Sequence, residues 1–265
     1  MNQDVKPYWL PVEWEGPANI KAFYTTRYSI NDAAKPSAGR EDQEHADYSE
    51  FNLALHVGDK PNRVIRNRDY LRESLNLPTE PAWLNQTHST RVINLDVQNN
   101  LGQAGFDADG SFTESASKIC CVMTADCLPV LLSNRQGSWV SAVHAGWRGL
   151  ANGIIENAIR LYNGKPDDLV AWLGPAISQA KFEIGAEVKQ IFINTNPDFE
   201  AAFVPTFNDK YLADLYQIAS RILSGFDIET FGGNFCTFQQ EDKFFSYRRQ
   251  QTTGRMASLI WINNQ

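Results

Sequence analysis

The chain has 265 residues, of which 43% are hydrophobic and 12% aromatic, enough apolar material to build the core of one large domain or two small ones. Its formal charge of -7 and pI near 5.2 exclude a general nucleic-acid or anionic-membrane binder, which needs a basic surface, so any anion has to be held by a local cluster. No apolar run reaches the ~20 residues of a bilayer span, and "MNQDVKPYWLPVEWEG" lacks the basic-then-apolar plan of a signal peptide, so a cytoplasmic chain is expected.

Short β-rich runs between turn residues predict strands over 19–26, 82–88, 91–97, 118–124, 128–133, 138–144, 169–177 and 256–262. Helical spacing predicts helices over 59–75, with Asp59 as N-cap and Pro61 in the first turn, over 149–162, and over 211–225 with Gly225 as its stop. The polar, small-residue segment 31–50 reads as a mobile loop. With no linker, repeat or low-complexity tract, the expectation is one continuous α+β domain over 1–265, a mixed β-sheet core flanked by helices.

The chemistry-bearing residues are few enough to weigh singly. Of four histidines, His45 lies in the polar segment, whereas His56, His88 and His144 stand at junctions where predicted strands or apolar runs end. Four cysteines are too few and too unevenly spaced for a disulfide framework, and are expected as reduced thiols. Cys120 and Cys121 lie inside an apolar run and read as small hydrophobes. Cys127 instead follows Asp126 in a bend, with Pro129 expected to interrupt plain sheet pairing. A thiolate beside a carboxylate is disfavoured unless a metal or cation offsets the repulsion. Zinc takes imidazole and thiolate, and a catalytic site leaves one position open, so His88, Cys127 and His144 form a candidate ligand set. The same three residues also suit a cysteine nucleophile with a histidine base.

Arginines form a second set. In "HAGWRGL" two glycines are expected to let the chain turn from strand to helix, placing Arg148 at a helix start suited to an anion. Arg27, Arg248, Arg249 and Arg255 stand at other junctions, and guanidinium forks suit phosphate or carboxylate. Arg63, Arg66, Arg68 and Arg72, on the 59–75 helix, read as solvated charge.

The blocks "NQTHS" (85–89), "DADG" (107–110), "TADCLPVLL" (124–132), "AVHAGWRGL" (142–150), "LGPAI" (173–177), "FEIGAEV" (182–188) and "SYRRQQTTGRMASLIWI" (246–262), in order from about Thr25 to Ile262, together resemble the laccase-domain family. That family was described first as multicopper polyphenol oxidases and later as zinc-containing purine nucleoside phosphorylases that also deaminate adenosine. It is linked as well to peptidoglycan precursor editing. The resemblance implies metal ligation by His88, Cys127 and His144, and adds His56 and Arg27 to the pocket. One departure stands out: the polar-glycine turn after the arginine pair, often "RRDG", reads "RRQQ" here.

A multicopper oxidase needs His-x-His pairs for a trinuclear cluster, and this chain has none among its four histidines. One mononuclear site is the most it furnishes, with zinc as the expected metal and copper as the alternative loading. The resemblance therefore implies phosphorolysis of adenosine, inosine, guanosine or methylthioadenosine, with purine nucleoside and phosphate as the bound partners, and adenosine deamination alongside. Arg148 and Arg27 would hold phosphate, assisted by His56, Arg248 and Arg249. The glutamate two residues after a ligand histidine, typical of cytidine deaminases, is absent after His144, which leaves Asp126 as the nearest acid/base, with Asp109 behind it. A Cys127-based hydrolase acting on peptidoglycan precursors, a copper-loaded polyphenol oxidase and a non-catalytic binding protein remain as alternatives.

Overall fold

A computed structural model describes residues 7–29, 48, 50–98 and 105–263. The 31–50 loop lies, apart from Tyr48 and Glu50, outside the described residues, as does His45.

Thirteen strands are described: β1 (Trp9–Pro11), β2 (Ile20–Thr25), β3 (Val92–Asn94), β4 (Gly110–Thr113), β5 (Ile119–Thr124), β6 (Leu128–Asn134), β7 (Val140–Ala145), β8 (Leu169–Leu173), β9 (Glu183–Gly185), β10 (Phe203–Pro205), β11 (Lys210–Ala213), β12 (Glu229–Gly232) and β13 (Met256–Ile262). The α-helices are α1 (Pro61–Ser74), α2 (Trp147–Ala151), α3 (Ile154–Arg160), α4 (Ala186–Thr195) and α5 (Leu215–Ser224). Strands pair in the orders β1-β2-β13-β5, β12-β8-β6-β7-β4-β3 and β10-β11-β9.

The two larger sheets are stacked, and side-chain alternation shows why. Along β13, Met256, Ile260 and Ile262 face a core shared with Ala142 of β7, Leu131 of β6 and Trp172 of β8, while Ala257, Leu259 and Trp261 face Leu71 of α1. With both faces covered, all seven residues of β13 are buried and the strand reads as an unbroken apolar run. The other face of the six-stranded sheet, through Leu128, Val130, Leu132, Leu169 and Leu173, packs on α2, α3 and α5. The architecture is α+β, with helices outside two sheets.

Several expected elements differ. Segment 82–88 forms only the isolated bridges Ala82↔Cys120 and Asn85↔Asp107. The 149–162 helix is broken into α2 and α3, because Gly153 takes φ +89°, a left-handed conformation that a helix cannot continue through. Segment 211–225 begins as β11, and only after Asp214, whose carboxylate accepts from the Gln217 N–H at 3.0 Å, does α5 start. Asp59 does not cap α1, whose N-cap is Lys60; its buried carboxylate binds Asn52 and Arg63 instead. Pro129 does not interrupt pairing: it lies within β6 opposite His144 and accepts from the Gly174 N–H. Arg63 and Arg68 are also not simply solvated, since Arg63 pairs with Asp59 at 2.7 Å and Arg68 lies 3.9 Å over the Trp83 ring. Arg66 is exposed, and Arg72 makes two exposed pairs, with Asp69 at 3.5 Å and Glu80 at 3.9 Å.

Candidate metal centre

His144 is the penultimate residue of β7 in the middle of the six-stranded sheet, Cys127 sits in the bend between β5 and β6, and His88 lies in the turn ahead of β3. Their ligand-capable atoms all lie within 4.8 Å of one another, with Cys127 Sγ 3.8 Å from His88 Nε2. Among the described residues this is the one such cluster.

Two carboxylates organise it. Asp109, just before β4 and fully buried, accepts from His144 Nδ1 at 2.8 Å, from the backbone N–H of His88 at 2.9 Å and of Ser89 at 2.6 Å, and from the Ser89 hydroxyl at 2.7 Å. The "NQTHS" and "DADG" blocks are therefore two halves of one hydrogen-bonded unit, which Gln86 ties to β5 through a two-way bond with the Met123 backbone. This unit holds His88 at φ +60°, a conformation uncommon for a residue with a side chain. Burial opposes ionisation of Asp109, but the hydrogen bonds from His144 and Ser89 prevail and hold its carboxyl at about 2. The aspartate thus fixes the proton of His144 on Nδ1 and turns Nε2 toward Cys127.

Asp126, also at positive φ (93°), has both oxygens engaged: the Thr237 hydroxyl donates to Oδ1 at 2.6 Å and the Arg248 N–H to Oδ2 at 2.6 Å. It anchors the 237–248 loop over the site, so the acid/base role expected of it meets a carboxylate with a donor already on each oxygen. The repulsion expected between Asp126 and a Cys127 thiolate is met by cations on the other side. Burial disfavours the thiolate, yet the charge of His144 and hydrogen bonds from His144 and His88 outweigh burial and lower its pKa. His144 is raised in turn, by Cys127 and Asp109 against its own burial.

Gly146 explains why no side chain follows His144-Ala145. Its φ of −63° is ordinary, so it does not serve the turn; a Cβ there would fall 2.9 Å from His88 Cδ2 and 3.0 Å from Cys127 Sγ. Space, not backbone freedom, requires glycine.

The cluster opens into a cavity of about 520 Å³ whose lining includes His56, Asp126, Trp147, Arg148, Phe182, Tyr247, Arg248 and Arg255. Arg148 is exposed and stacks on Trp147, its guanidinium 4.3 Å from the ring centroid. Arg248 donates to the Glu183 carbonyl at the rim. Two expected members are elsewhere. Arg27 is buried against the Tyr28 and Phe245 rings, 4.8 and 5.3 Å away, and Arg249 spends its guanidinium on the carbonyls of Thr237, Phe238 and Phe244. Neither is among the cavity-lining residues, because backbone carbonyls left over by the irregular C-terminal loop claim them. Phe182, Gln86 and Tyr247 line the cavity without having stood out as site residues, although each lies in a block that carries the family resemblance, "FEIGAEV", "NQTHS" and "SYRR".

The donor set fits zinc. Two imidazoles and a thiolate are its borderline-soft ligands, a tetrahedral site spaces S and N ligands about 3.6 Å apart, close to the 3.8 Å between Cys127 Sγ and His88 Nε2, and all three residues line the cavity.

Fold and site together define an α+β protein with a His₂Cys cluster able to hold a metal at the base of an arginine-rimmed cavity. The chain belongs to the multi-copper polyphenol oxidoreductase laccase family, whose model matches residues 39–263. It is 44% identical over 252 residues to a purine nucleoside phosphorylase of Haemophilus influenzae, covering 94% of this chain and 97% of that one. Identity is 42% over 251 residues, with the same coverages, to the Escherichia coli purine nucleoside phosphorylase YfiH. Among solved structures, a Neisseria meningitidis protein superposes with a TM-score of 0.86 at 42% identity, over 97% of this chain and all of that one. YlmD from Geobacillus stearothermophilus does so at 0.81 and 26% identity, over 97% of each. No helix among the described residues is long and apolar enough to cross a membrane.

Proposed function

We propose that this chain is a zinc-dependent purine nucleoside phosphorylase, acting on adenosine, inosine, guanosine and methylthioadenosine, with adenosine deamination at the same site. The observation that carries the reading is the convergence of His88, Cys127 and His144 with Arg148, Arg248 and Arg255 on one cavity of about 520 Å³. Relatives named purine nucleoside phosphorylase, matched over nearly their whole length, support an enzyme of that kind.

In phosphorolysis a phosphate oxygen forms a bond to C1′ of the ribose while the C1′–N9 bond breaks. The electron pair leaves on N9, and the base takes up a proton as ribose 1-phosphate forms. The half-buried Trp147 and the aromatic faces of Phe182 and Tyr247 give the cavity walls on which a purine stacks. The arginines neutralise phosphate so that its approach to C1′ carries little electrostatic cost. His88, Cys127 and His144 hold the metal, with Asp109 fixing the tautomer of His144. Bound zinc supplies Lewis acidity at that wall of the cavity. Asp126 positions the loop that carries Tyr247 and Arg248. The four unpaired thiols fit a reducing, cytoplasmic compartment.

A second reading has its own observation: Cys127, His144 and Asp109 stand in the order nucleophile, base and orienting carboxylate of a cysteine hydrolase, for which peptidoglycan precursors would be the substrate class. Metal content separates the two, since a purified, active protein without stoichiometric zinc favours the thiol nucleophile. Copper on the same three residues is the polyphenol-oxidase reading, and the described residues hold one His₂Cys cluster with no second metal-ligating cluster beside it. Incubation with adenosine, with and without phosphate, followed by chromatography tests the main proposal. Absence of adenine, hypoxanthine and inosine under every metal condition overturns it.

A further inference from the structure

Arg255 differs from the other two arginines of the cavity. Arg148 and Arg248 are exposed at the rim, where water screens them, whereas Arg255 is half-buried in the wall. Its Nη1 donates to the carbonyls of Thr253 at 2.9 Å and Gly254 at 3.0 Å, and its guanidinium carbon lies 5.8 Å from the Tyr247 ring centroid. No carboxylate of the described residues pairs with it. Burial is the main influence on its charge, opposed by the charges of Cys127, Asp126, Tyr247 and Tyr48. Of those, the Cys127 thiolate belongs to the metal set and the Asp126 carboxylate is taken by Thr237 and the Arg248 N–H. A cation set into a wall with carbonyl acceptors but no anionic partner among the described residues is costly unless a ligand supplies the opposite charge.

The same residue is joined to His56. Buried Asn52 accepts from the backbone N–H of Arg255 at 3.0 Å and of Ala54 at 3.0 Å, and donates to Asp59 at 2.9 Å, while the Leu53 N–H donates to the Arg255 carbonyl at 3.4 Å. One junction therefore presents both the 54–58 loop, with His56, and Arg255 to the cavity. Burial, then the charges of Arg255 and Arg68, lower the pKa of His56, which favours the neutral ring as a hydrogen-bonding neighbour over a second cation.

We propose that Arg255, flanked by His56, is the anchor for inorganic phosphate inside the cavity, and that Arg148 and Arg248 serve its entrance. The inference rests on the phosphorolysis reading for its purpose but, for its place, on a guanidinium that pairs with no carboxylate of the described residues. The second donor nitrogen of the fork, Nη2, and Nε remain to meet an oxyanion.

Calorimetric titration of the purified, metal-loaded chain with inorganic phosphate tests it, alongside Arg255→Gln and Arg255→Lys, with zinc content and thermal unfolding recorded for each. The Gln variant is expected to bind phosphate at least about tenfold more weakly, the loss typical of a charged hydrogen-bonding partner. The Lys variant is expected to fall between, keeping charge without the fork. Phosphate affinity within twofold of wild type in the Gln variant overturns the assignment, as does a wild-type chain that binds no phosphate at millimolar concentration. Should the Gln variant fail to fold, undiminished affinity in the Lys variant overturns it instead. If wild type phosphorolyses inosine but Arg255→Gln keeps the wild-type KM for phosphate, this inference fails and the proposed function stands. If phosphate binds through Arg255 but no nucleoside is cleaved, the subsite stands and the function fails.

Discussion

Asp109 Oδ1 lies 2.8 Å from His144 Nδ1, and the same carboxylate collects the backbone N–H groups of His88 and Ser89, so one buried aspartate sets the ring of one candidate ligand and the backbone of another. Replacing Asp109 by Asn keeps a similar shape but puts an NH₂ among donors. We expect zinc affinity to fall about 10–100-fold, as for other partners that orient a metal-bound histidine, with the far-UV spectrum unchanged. Competition with a chromophoric chelator measures this; wild-type affinity in the Asn variant would contradict the positioning role.

The same aspartate gives a pH signature. Its carboxyl is held at about 2 in the folded chain, below its unfolded range near 3.8. A group depressed by folding contributes stability that is complete above its unfolded pKa and is lost as pH falls through the folded one. Metal-stripped wild type is therefore expected to lose stability between about pH 4 and 2 more steeply than Asp109→Asn. Urea unfolding at stepped pH reads the two slopes, and parallel curves would contradict it.

Gly146→Ala introduces a methyl 2.9 Å from His88 Cδ2 and 3.0 Å from Cys127 Sγ, in a backbone conformation that alanine adopts freely. The expected result is loss of stoichiometric zinc without global unfolding. A variant that retains one zinc per chain would show that the three ligands have more room than their geometry indicates.

Arg249 was expected in the pocket and is instead bonded to three carbonyls at 2.6, 2.9 and 2.7 Å. Arg249→Ala is expected to cost about 2–4 kcal/mol of stability, because charged hydrogen bonds are lost and buried acceptors are left unpaired. Chemical denaturation measures it; a change below about 0.5 kcal/mol, the range of ordinary surface substitutions, would contradict the clamp.

These cases show what a sequence makes legible. β13 and β6 are readable because an apolar run of β-branched and aromatic residues between turns has few other uses. Strand β4, "GSFT", has no such pattern, yet its register places Gly110 opposite Val143 and Asp109 beside His144. The clustering of His88, Cys127 and His144 was readable because only three histidines stand at junctions and one cysteine stands in a bend. The role of Asp109 was not, since its partners lie 20 to 35 residues away and only the fold joins them. Arg248, Arg249 and Arg255 look alike as letters. Their fates diverge by which carbonyl or cavity each meets, a matter of loop geometry that periodicity does not encode.

The central claim is that His88, Cys127 and His144 hold a zinc ion that nucleoside cleavage requires. The most direct measurement compares wild type with Cys127→Ala for zinc per chain and for hypoxanthine released from inosine with and without phosphate. The account predicts one zinc per chain and phosphate-dependent release in wild type, and loss of both in the variant. Full zinc and full activity in Cys127→Ala, or no base release by zinc-loaded wild type, would contradict it.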